Sequence, residues 1–563
     1  MKVKTYFAAA LMAAFMLPQV SYSSNMQENA KSKEEKMQWW KDAKFGMFIH
    51  WGIYSVPAGK WCGRTSYGEW IMHQASLSRD TYSGFADKFN PKDFNAEEWV
   101  KLAKEAGQKY IVITSKHHDG FAMFKSEASK YNVVDATPFK RDVIEELASA
   151  CRKHGMKLGL YYSQTQDWYH PGGARHGGKL WDNGQKGDMM EYIKNIALPQ
   201  VKEILSKYGD IAVLWWDTPT DMTPEMSKMF GEVIAEYPNL ITNNRLGGGV
   251  EGDLETPEQY IPATGYKDRN WEVCMTMNGH WGYNAYDDNW KSTRELLRNL
   301  VDIVSKGGNF LLNVGPDSQG RIPGVCIGTL KDIGEWMSMN GESIYGTESS
   351  PIPYLSCGRA TRKGNTLYMH IFDWGNGYLQ IPLENKVKRA YLLADRKHNL
   401  EVKHSANGLS VKLPEYAPDR NVSVLALELD GAPEVSPAPS YGKPVDVTVE
   451  SKKESCSILT DNNSQTIWNA PKGKKTADIV FDLKKKEKIC AMILSEIWKP
   501  WDKMSQEYEL MYLKGNDWVS ICKGKTRGTG HTAEFSPVES RYFKLTLKTR
   551  KNSPALGDIM LCR

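Results

Sequence analysis

Short apolar segments that alternate with helical stretches constrain the first half of this chain more than any other feature. The apolar segments are Phe45 to Ile49, Tyr110 to Ser115, Lys157 to Tyr162, Ile211 to Leu214, Leu240 to Thr242 and Asn309 to Val314. Helices are expected between them at Ala96 to Ala106, Arg141 to His154, Met189 to Lys207 and Pro224 to Ala235. Strands that are apolar on both faces belong to a parallel sheet covered by helices on both sides. Each strand runs directly into polar or aromatic residues: His50-Trp51-Gly52, Lys116-His117-His118-Asp119-Gly120, Tyr161-Tyr162-Ser163, Trp215-Trp216-Asp217 and Asn243-Asn244-Arg245. In a (β/α) barrel the C-terminal strand ends form the active face. An open doubly wound sheet would gather its site at the same ends. No glycine-rich turn follows the first strand, so nothing favours nucleotide binding. The fold class expected is α/β, a (β/α) barrel of TIM type.

The texture changes near Pro351. Short alternating segments at Thr366 to Phe372, Tyr378 to Ile381, Arg389 to Leu393 and Val422 to Leu427 suggest an antiparallel β-domain. The Pro-rich stretch APEVSPAPSYGKP then reads as a linker. The organisation expected is a signal peptide at 1–23, the barrel at 24–348, a small β-sandwich at 349–431, the linker at 432–444 and a last β-sandwich at 445–563. The leader carries Lys2 and Lys4, then the apolar run AAALMAAFML and small residues around Ser21-Tyr22-Ser23. That run is too short for a membrane span. No cysteine stands at the cleavage point, so a lipoprotein anchor is not expected. No later stretch reaches about 18 apolar residues, so the mature chain is expected to be secreted or periplasmic with no membrane span. Losing two lysines with the leader takes the net charge from +5 to +3, too mild a balance to point to nucleic acid. Nine scattered cysteines without a CxxC leave at least one thiol free. A Cys456–Cys562 pair in the last domain would use two of them.

The chemistry must come from the residues after the strands. Those are His50, Glu69, Trp70, His117, His118, Tyr162, Trp215, Asp217 and Arg245, with the acidic Glu255-Thr256-Pro257-Glu258 and Glu272 in NWEVCMT. Taken singly, Asp217 reads as an N-cap and each histidine as a satisfied structural residue. Together, neutral donors, an arginine, aromatic rings and carboxylates describe a polar sugar pocket. No metal is expected, because adjacent His117 and His118 would point to opposite sides of a strand. Glycoside hydrolysis needs two carboxyls, one ionised and one able to give a proton. Asp217 supplies one, and Glu258, Glu272 and Glu255 compete for the other.

The motifs FIHWG, SKHHDGFAMF, LWWDTP, TPE and GGNFLLNVGPDSQGRIP resemble those of the α-L-fucosidases of glycoside hydrolase family 29, over roughly residues 37 to 345. The resemblance implies an irregular barrel followed by a small β-sandwich, a retaining mechanism, and no metal or cofactor. It makes Asp217 the nucleophile and Glu258 the acid/base, with Glu272 as the alternative. It assigns His50, Glu69, Trp70, His117, His118, Tyr162, Trp215 and Arg245 to the fucose hydroxyls and C5 methyl side. Arg245 beside Asp217 would keep that carboxylate ionised. The stretch HWGYN, His280 to Asn284, is similar to members acting on simple fucosides. The tail is similar to discoidin-like, carbohydrate-binding module family 32 domains, which adds a glycan contact or only a packed β-sandwich. The partners implied are fucosylated oligosaccharides or glycoconjugates. The competing readings are a non-catalytic fucose lectin and a related retaining glycosidase such as an α-L-galactosidase.

Overall fold

Eight parallel strands carry the first half of the chain: β1 (Phe45–Ile49), β2 (Tyr110–Lys116), β3 (Lys157–Tyr162), β4 (Val213–Trp216), β5 (Ile241–Thr242), β6 (Leu254–Glu255), β7 (Asn270–Thr276) and β8 (Asn309–Val314). The structure, a computed structural model, describes residues 34–563 apart from 267, 376, 406–407, 463–465, 497–504 and 527–529. The expected signal peptide lies outside the described residues. The strand order is β5-β4-β3-β2-β1-β8-β7-β6. A parallel bridge between Asn243 and Leu254 ties the two outer strands, with Asn244 N–H donating to Leu254 O at 2.9 Å and Asp253 N–H to Thr242 O at 2.7 Å. The sheet is thus a nearly closed barrel of TIM type.

Side chains alternate across its wall. Phe48, Tyr110, Val112, Tyr161, Val213, Trp215, Cys274 and Leu311 fill the interior as one buried cluster. Their neighbours Ile49, Ile111, Ile113, Leu160, Tyr162, Leu214, Trp216, Val273 and Leu312 face the helices in another. This is the period of two built into a strand. Gly46 makes room for a large interior ring, since a Cβ there would stand 2.5 Å from the Tyr110 ring.

The outer helices start and stop where their caps dictate. Ala96–Glu105 begins at Asn95, whose side chain accepts from the Glu97 and Glu98 amides, and Val143–His154 begins at Asp142 and ends at Gly155 with φ 63°. The long helix expected from Met189 to Lys207 is interrupted by a π segment, Ile193–Ala197. Pro199 explains it, because its ring would strike the carbonyl of residue 195 in a regular α-helix and a wider turn avoids that clash. Two strands were not legible in the sequence. β6 is two residues long, and β7 turns polar Glu272 and Thr276 toward the interior.

After the barrel, seven strands from Gly358–Lys363 to Ser423–Leu429 form antiparallel sheets of four and three around their own core, which includes Leu367, Met369, Leu409, Val411, Leu425 and Leu427. The larger sheet packs Tyr368, Tyr391, Val424 and Ala426 into the barrel's helix layer, and Trp336 Nε1 donates to Val422 O at 2.8 Å. The strands from Val445–Val449 to Asp558–Cys562 form a third unit with a core that includes Val447, Ile479, Phe481, Leu510 and Leu545. It touches the barrel at the loop before β7, where Thr264 Oγ1 lies 3.2 Å from Ser495 Oγ and Ala263 packs on Ala491, Ile493 and Met560. Cys456 and Cys562 are both buried free thiols, so the pairing suggested for them is not formed. Among the described residues no helix is long and apolar enough to cross a membrane.

Candidate active site

Asp217 follows the last residue of β4 and keeps the inward side of Val213 and Trp215. Asn243 holds the strand end, accepting from Trp216 N–H at 2.9 Å and donating to Trp216 O at 2.9 Å. The Asp217 carboxylate receives Tyr161 OH at 2.7 Å on Oδ2 and Arg245 Nη1 at 2.8 Å on Oδ1. Thr218 N–H donates to Oδ1 at 2.9 Å, and His118 Nε2 lies 3.5 Å from Oδ2. Burial pushes this carboxyl up, but the Arg245 charge, His118 and the Tyr161 hydrogen bond outweigh it and hold the carboxyl below its ordinary range. Thr218 stands at φ 45°, a left-handed conformation unusual for a β-branched residue. Such strain collects at functional sites.

Arg245 organises the second carboxylate. Its Nε donates to Thr256 Oγ1 and its Nη2 to Thr256 O, both at 2.9 Å, and its guanidinium lies 4.8 Å from the centre of the Trp215 ring. With its orientation set, the same Nη1 that binds Asp217 also reaches Glu258 Oε2 at 2.9 Å. Contacts of 2.8 and 2.9 Å to one nitrogen keep Asp217 Oδ1 and Glu258 Oε2 within 5.7 Å of each other. Glu258 is the looser of the two, its side chain 36% exposed against 14% for Asp217. Directly after it the chain turns left-handed at Gln259 (φ 61°), whose N–H donates to Cys274 O at 3.0 Å.

These groups line a pocket of about 140 Å³ with Phe48, His50, Glu69, Trp70, His117, His118, Tyr161, Trp215, Thr218, Cys274 and Trp281. His50 pairs with Asn313 Oδ1 at 2.7 Å and His118 Nδ1 with Ser163 Oγ at 2.7 Å. Burial lowers both rings to about 4, and it lowers His117 well below the usual range too, where a positive charge would also face Lys116 and any proton on His118 or His50. At neutral pH the three rings are therefore uncharged hydrogen-bonding groups. Glu69 accepts Gly282 N–H at 2.9 Å, and its carboxyl is pushed up by burial and by the nearby Glu258 charge.

Three expectations need correction. Tyr162 does not face the pocket. It points outward, donating to Gln200 Oε1 at 2.8 Å, and its neighbour Tyr161 takes the inward position beside Asp217. Glu272 is also absent from the pocket. It is buried in the barrel interior, where Tyr110 OH and Trp215 Nε1 (3.3 Å) donate to it. Glu255 is likewise elsewhere, paired with Arg269 Nη2 at 2.6 Å. His117 and His118, by contrast, both reach the pocket with ring centres 4.1 Å apart. β2 ends at Lys116 and the chain turns at once, Gly120 N–H donating to His117 O at 3.0 Å, so strand alternation does not govern the pair. Among the described residues no three His, Cys, Asp or Glu side chains come together to hold a metal.

The sequence reading also missed Tyr161, Asn313, Phe48 and Trp281. Parity with Trp215 could have found Tyr161. The burial of Glu272 has a measurable consequence. Burial raises its carboxyl to about 7 from 4.5, against the Tyr110 and Trp215 hydrogen bonds. A raised folded pKa stabilises the protein below about pH 4.5, and that contribution is lost as pH rises through about 7. Glu272→Gln should therefore gain stability relative to wild type between pH 5 and pH 8, by on the order of 3 kcal/mol at most. Melting temperatures of both proteins at the two pH values test this, and equal pH dependence would refute it.

Residues 12–342 match the family model described as Alpha-L-fucosidase, and residues 446–561 match the F5/8 type C domain. An α-L-fucosidase from Dictyostelium discoideum is 30% identical over 418 residues, spanning 68% of this chain and 89% of that protein. The solved α-L-fucosidase of Vibrio sp. strain EJY3 superposes with a TM-score of 0.73 at 27% identity, covering 94% of this chain and 98% of its own. An α-L-fucosidase from Bacteroides thetaiotaomicron, solved as a trapped covalent intermediate in complex with 2-fluoro-fucosyl fluoride, has a TM-score of 0.63 at 29% identity, covering 70% of this chain and 96% of its own.

Proposed function

The chain belongs to the α-L-fucosidase family of glycoside hydrolases, and from that premise we propose that it removes terminal α-L-fucose from glycans by a retaining double displacement. The single observation that carries this reading is the shared Arg245 nitrogen. An upper limit of 5.7 Å between Asp217 Oδ1 and Glu258 Oε2 in the resting site supports the shorter of the two spacings known for carboxyl pairs in glycosidases. Retaining pairs stand about 5–5.5 Å apart and inverting pairs about 6.5–9.5 Å. The trapped covalent intermediate of the Bacteroides relative supports the same chemistry.

Asp217, kept ionised by Arg245 and Tyr161, attacks the anomeric carbon. As substrate binding parts it from Arg245, the Glu258 carboxylate takes up a proton from solvent, and the resulting acid protonates the glycosidic oxygen as the C1–O bond breaks. The β-fucosyl ester formed on Asp217 no longer carries charge, so Glu258 alone balances Arg245. Glu258 then takes a proton from water as that water attacks C1, the ester bond breaks, and α-L-fucose leaves with its configuration restored. His50, His117 and His118, uncharged at the pH of turnover, hold the sugar hydroxyls together with Glu69 and Trp70. An analogue lacking one of these hydroxyls would strand a buried polar partner and be strongly rejected. The pocket rings Phe48, Tyr161, Trp215 and Trp281 supply an apolar wall for the C5 methyl. L-galactose, which adds a hydroxyl there, is rejected only on the order of 10²-fold.

One observation favours a second assignment of the proton donor. Glu69 lines the same pocket, and its carboxyl is pushed toward the protonated form by burial and by Glu258. Secretion or export to a periplasm and a glycan contact through the C-terminal domain complete the proposal. Its test is the stereochemistry of hydrolysis of an aryl α-L-fucoside, followed by proton NMR. The α-anomer of fucose should appear first and the β-anomer only through mutarotation. Initial β-fucose would overturn the retaining mechanism, and no turnover of any fucoside would favour the lectin.

A further inference from the structure

The fucose pocket does not end at Trp70. Trp70 is half-buried, and its ring meets those of Trp168 at 5.1 Å, His73 at 5.5 Å and His176 at 5.7 Å between centres. His73 continues the series to Trp181 at 5.2 Å. Trp168 is fully buried beneath the group, whereas His73 and Trp181 are half-buried and His176 is exposed. A row of rings therefore runs from the pocket wall out to solvent.

The row is held in place rather than left to drift. Trp181 Nε1 donates to Leu77 O at 2.8 Å, and His73 Nε2 pairs with His176 O at 3.3 Å. His176 belongs to the long connection after β3, and the next two residues, Gly177 and Gly178, both stand at positive φ with open space around them. Those glycines let the chain turn sharply at the rim without packing against anything. Arg175, beside His176, is held within the same connection, its Nη1 donating to Gly173 O at 2.9 Å. Half-exposed tryptophans give up apolar contact to water unless something covers them.

We propose that this aromatic shelf is the binding site for the aglycone, the sugar residue to which the departing fucose is attached. The electron-rich ring faces attract the polarised C–H groups of a pyranose, and the histidine nitrogens and Arg175 reach its hydroxyls. Continuity with the pocket through Trp70 fixes the occupant, because a sugar linked to fucose in the pocket must emerge along its rim. The shelf selects glycan leaving groups over small ones and acts mainly on KM. The inference rests on the fucosidase reading.

The experiment compares an α-L-fucosyl disaccharide with α-L-fucosyl fluoride, whose leaving group carries no ring. His176→Ala and Trp181→Ala should each lower kcat/KM on the disaccharide by about tenfold, equivalent to 1.4 kcal/mol of lost binding. The loss should come through KM, the fluoride should be hydrolysed as by wild type, and Trp181→Phe should restore most of the disaccharide activity. Equal losses on both substrates would reduce the rings to scaffolding and overturn the proposal, as would an undiminished disaccharide rate. Wild type that cleaves neither substrate would overturn the functional reading and the shelf with it.

Discussion

Replacing Asp217 with glycine is expected to lower kcat on an aryl α-L-fucoside by at least about 10⁴-fold, the scale on which loss of one indispensable group acts in other hydrolases. Four donors or neighbours converge on this carboxylate, from Tyr161, Arg245, Thr218 and His118, and none of them can form the ester in its place. The variant should still fold. Arg245 keeps Glu258 as a partner, and the residual penalty of unpaired donors is about 1–3 kcal/mol. The cavity left beside Arg245 suits a small anion. Azide should therefore restore turnover and yield β-L-fucosyl azide, the product of a single inversion. A variant that retains a tenth of wild-type kcat without azide would remove Asp217 from the reaction.

The second large effect concerns Glu258 and depends on the leaving group. Glu258→Ala should lower kcat/KM on a fucosyl disaccharide by roughly 10²–10⁴-fold, the usual contribution of a positioned proton donor. α-L-Fucosyl fluoride needs little help from an acid, so its cleavage should fall far less. Azide should intercept the fucosyl-enzyme and give α-L-fucosyl azide, since the first displacement on Asp217 remains. Full turnover of the disaccharide by Glu258→Ala would pass the role to Glu69. Glu272 would not inherit it, because it lies within the barrel interior bound to Tyr110 and Trp215.

The two glutamates show where sequence reasoning stops. Glu272 looked available because NWEVCMT, with polar residues at alternate positions, lacks the continuous apolar run by which the other barrel strands were read. In the structure those positions point into a barrel, and a polar side chain there meets partners from β2 and β4. The error over Tyr162 has the same origin. Adjacent tyrosines are equivalent in a sequence, but the pairing of Tyr161 with Trp215 and of Tyr162 with Trp216 makes one inward and the other outward. His117 and His118 both stand in the pocket as expected, and only the alternation assumed for them was misplaced, since β2 ends at Lys116 and the chain turns directly after it.

What the sequence determined by itself was the class of the fold and the kinds of residue at its active face. Continuous apolar strands with helices between them have few ways to bury both faces, and a parallel barrel is one of them. The chemistry after each strand was legible for the same local reason, as Asp217, Arg245 and His50 each follow a recognisable apolar run. The tertiary structure alone decided which of two neighbouring side chains enters the pocket, and which glutamate shares Arg245 with Asp217. Those outcomes depend on register between strands and on loops 41 residues apart in sequence, as Asp217 and Glu258 are, meeting within one guanidinium's reach. No local pattern encodes such a distance, because it is set by the closure of the barrel as a whole.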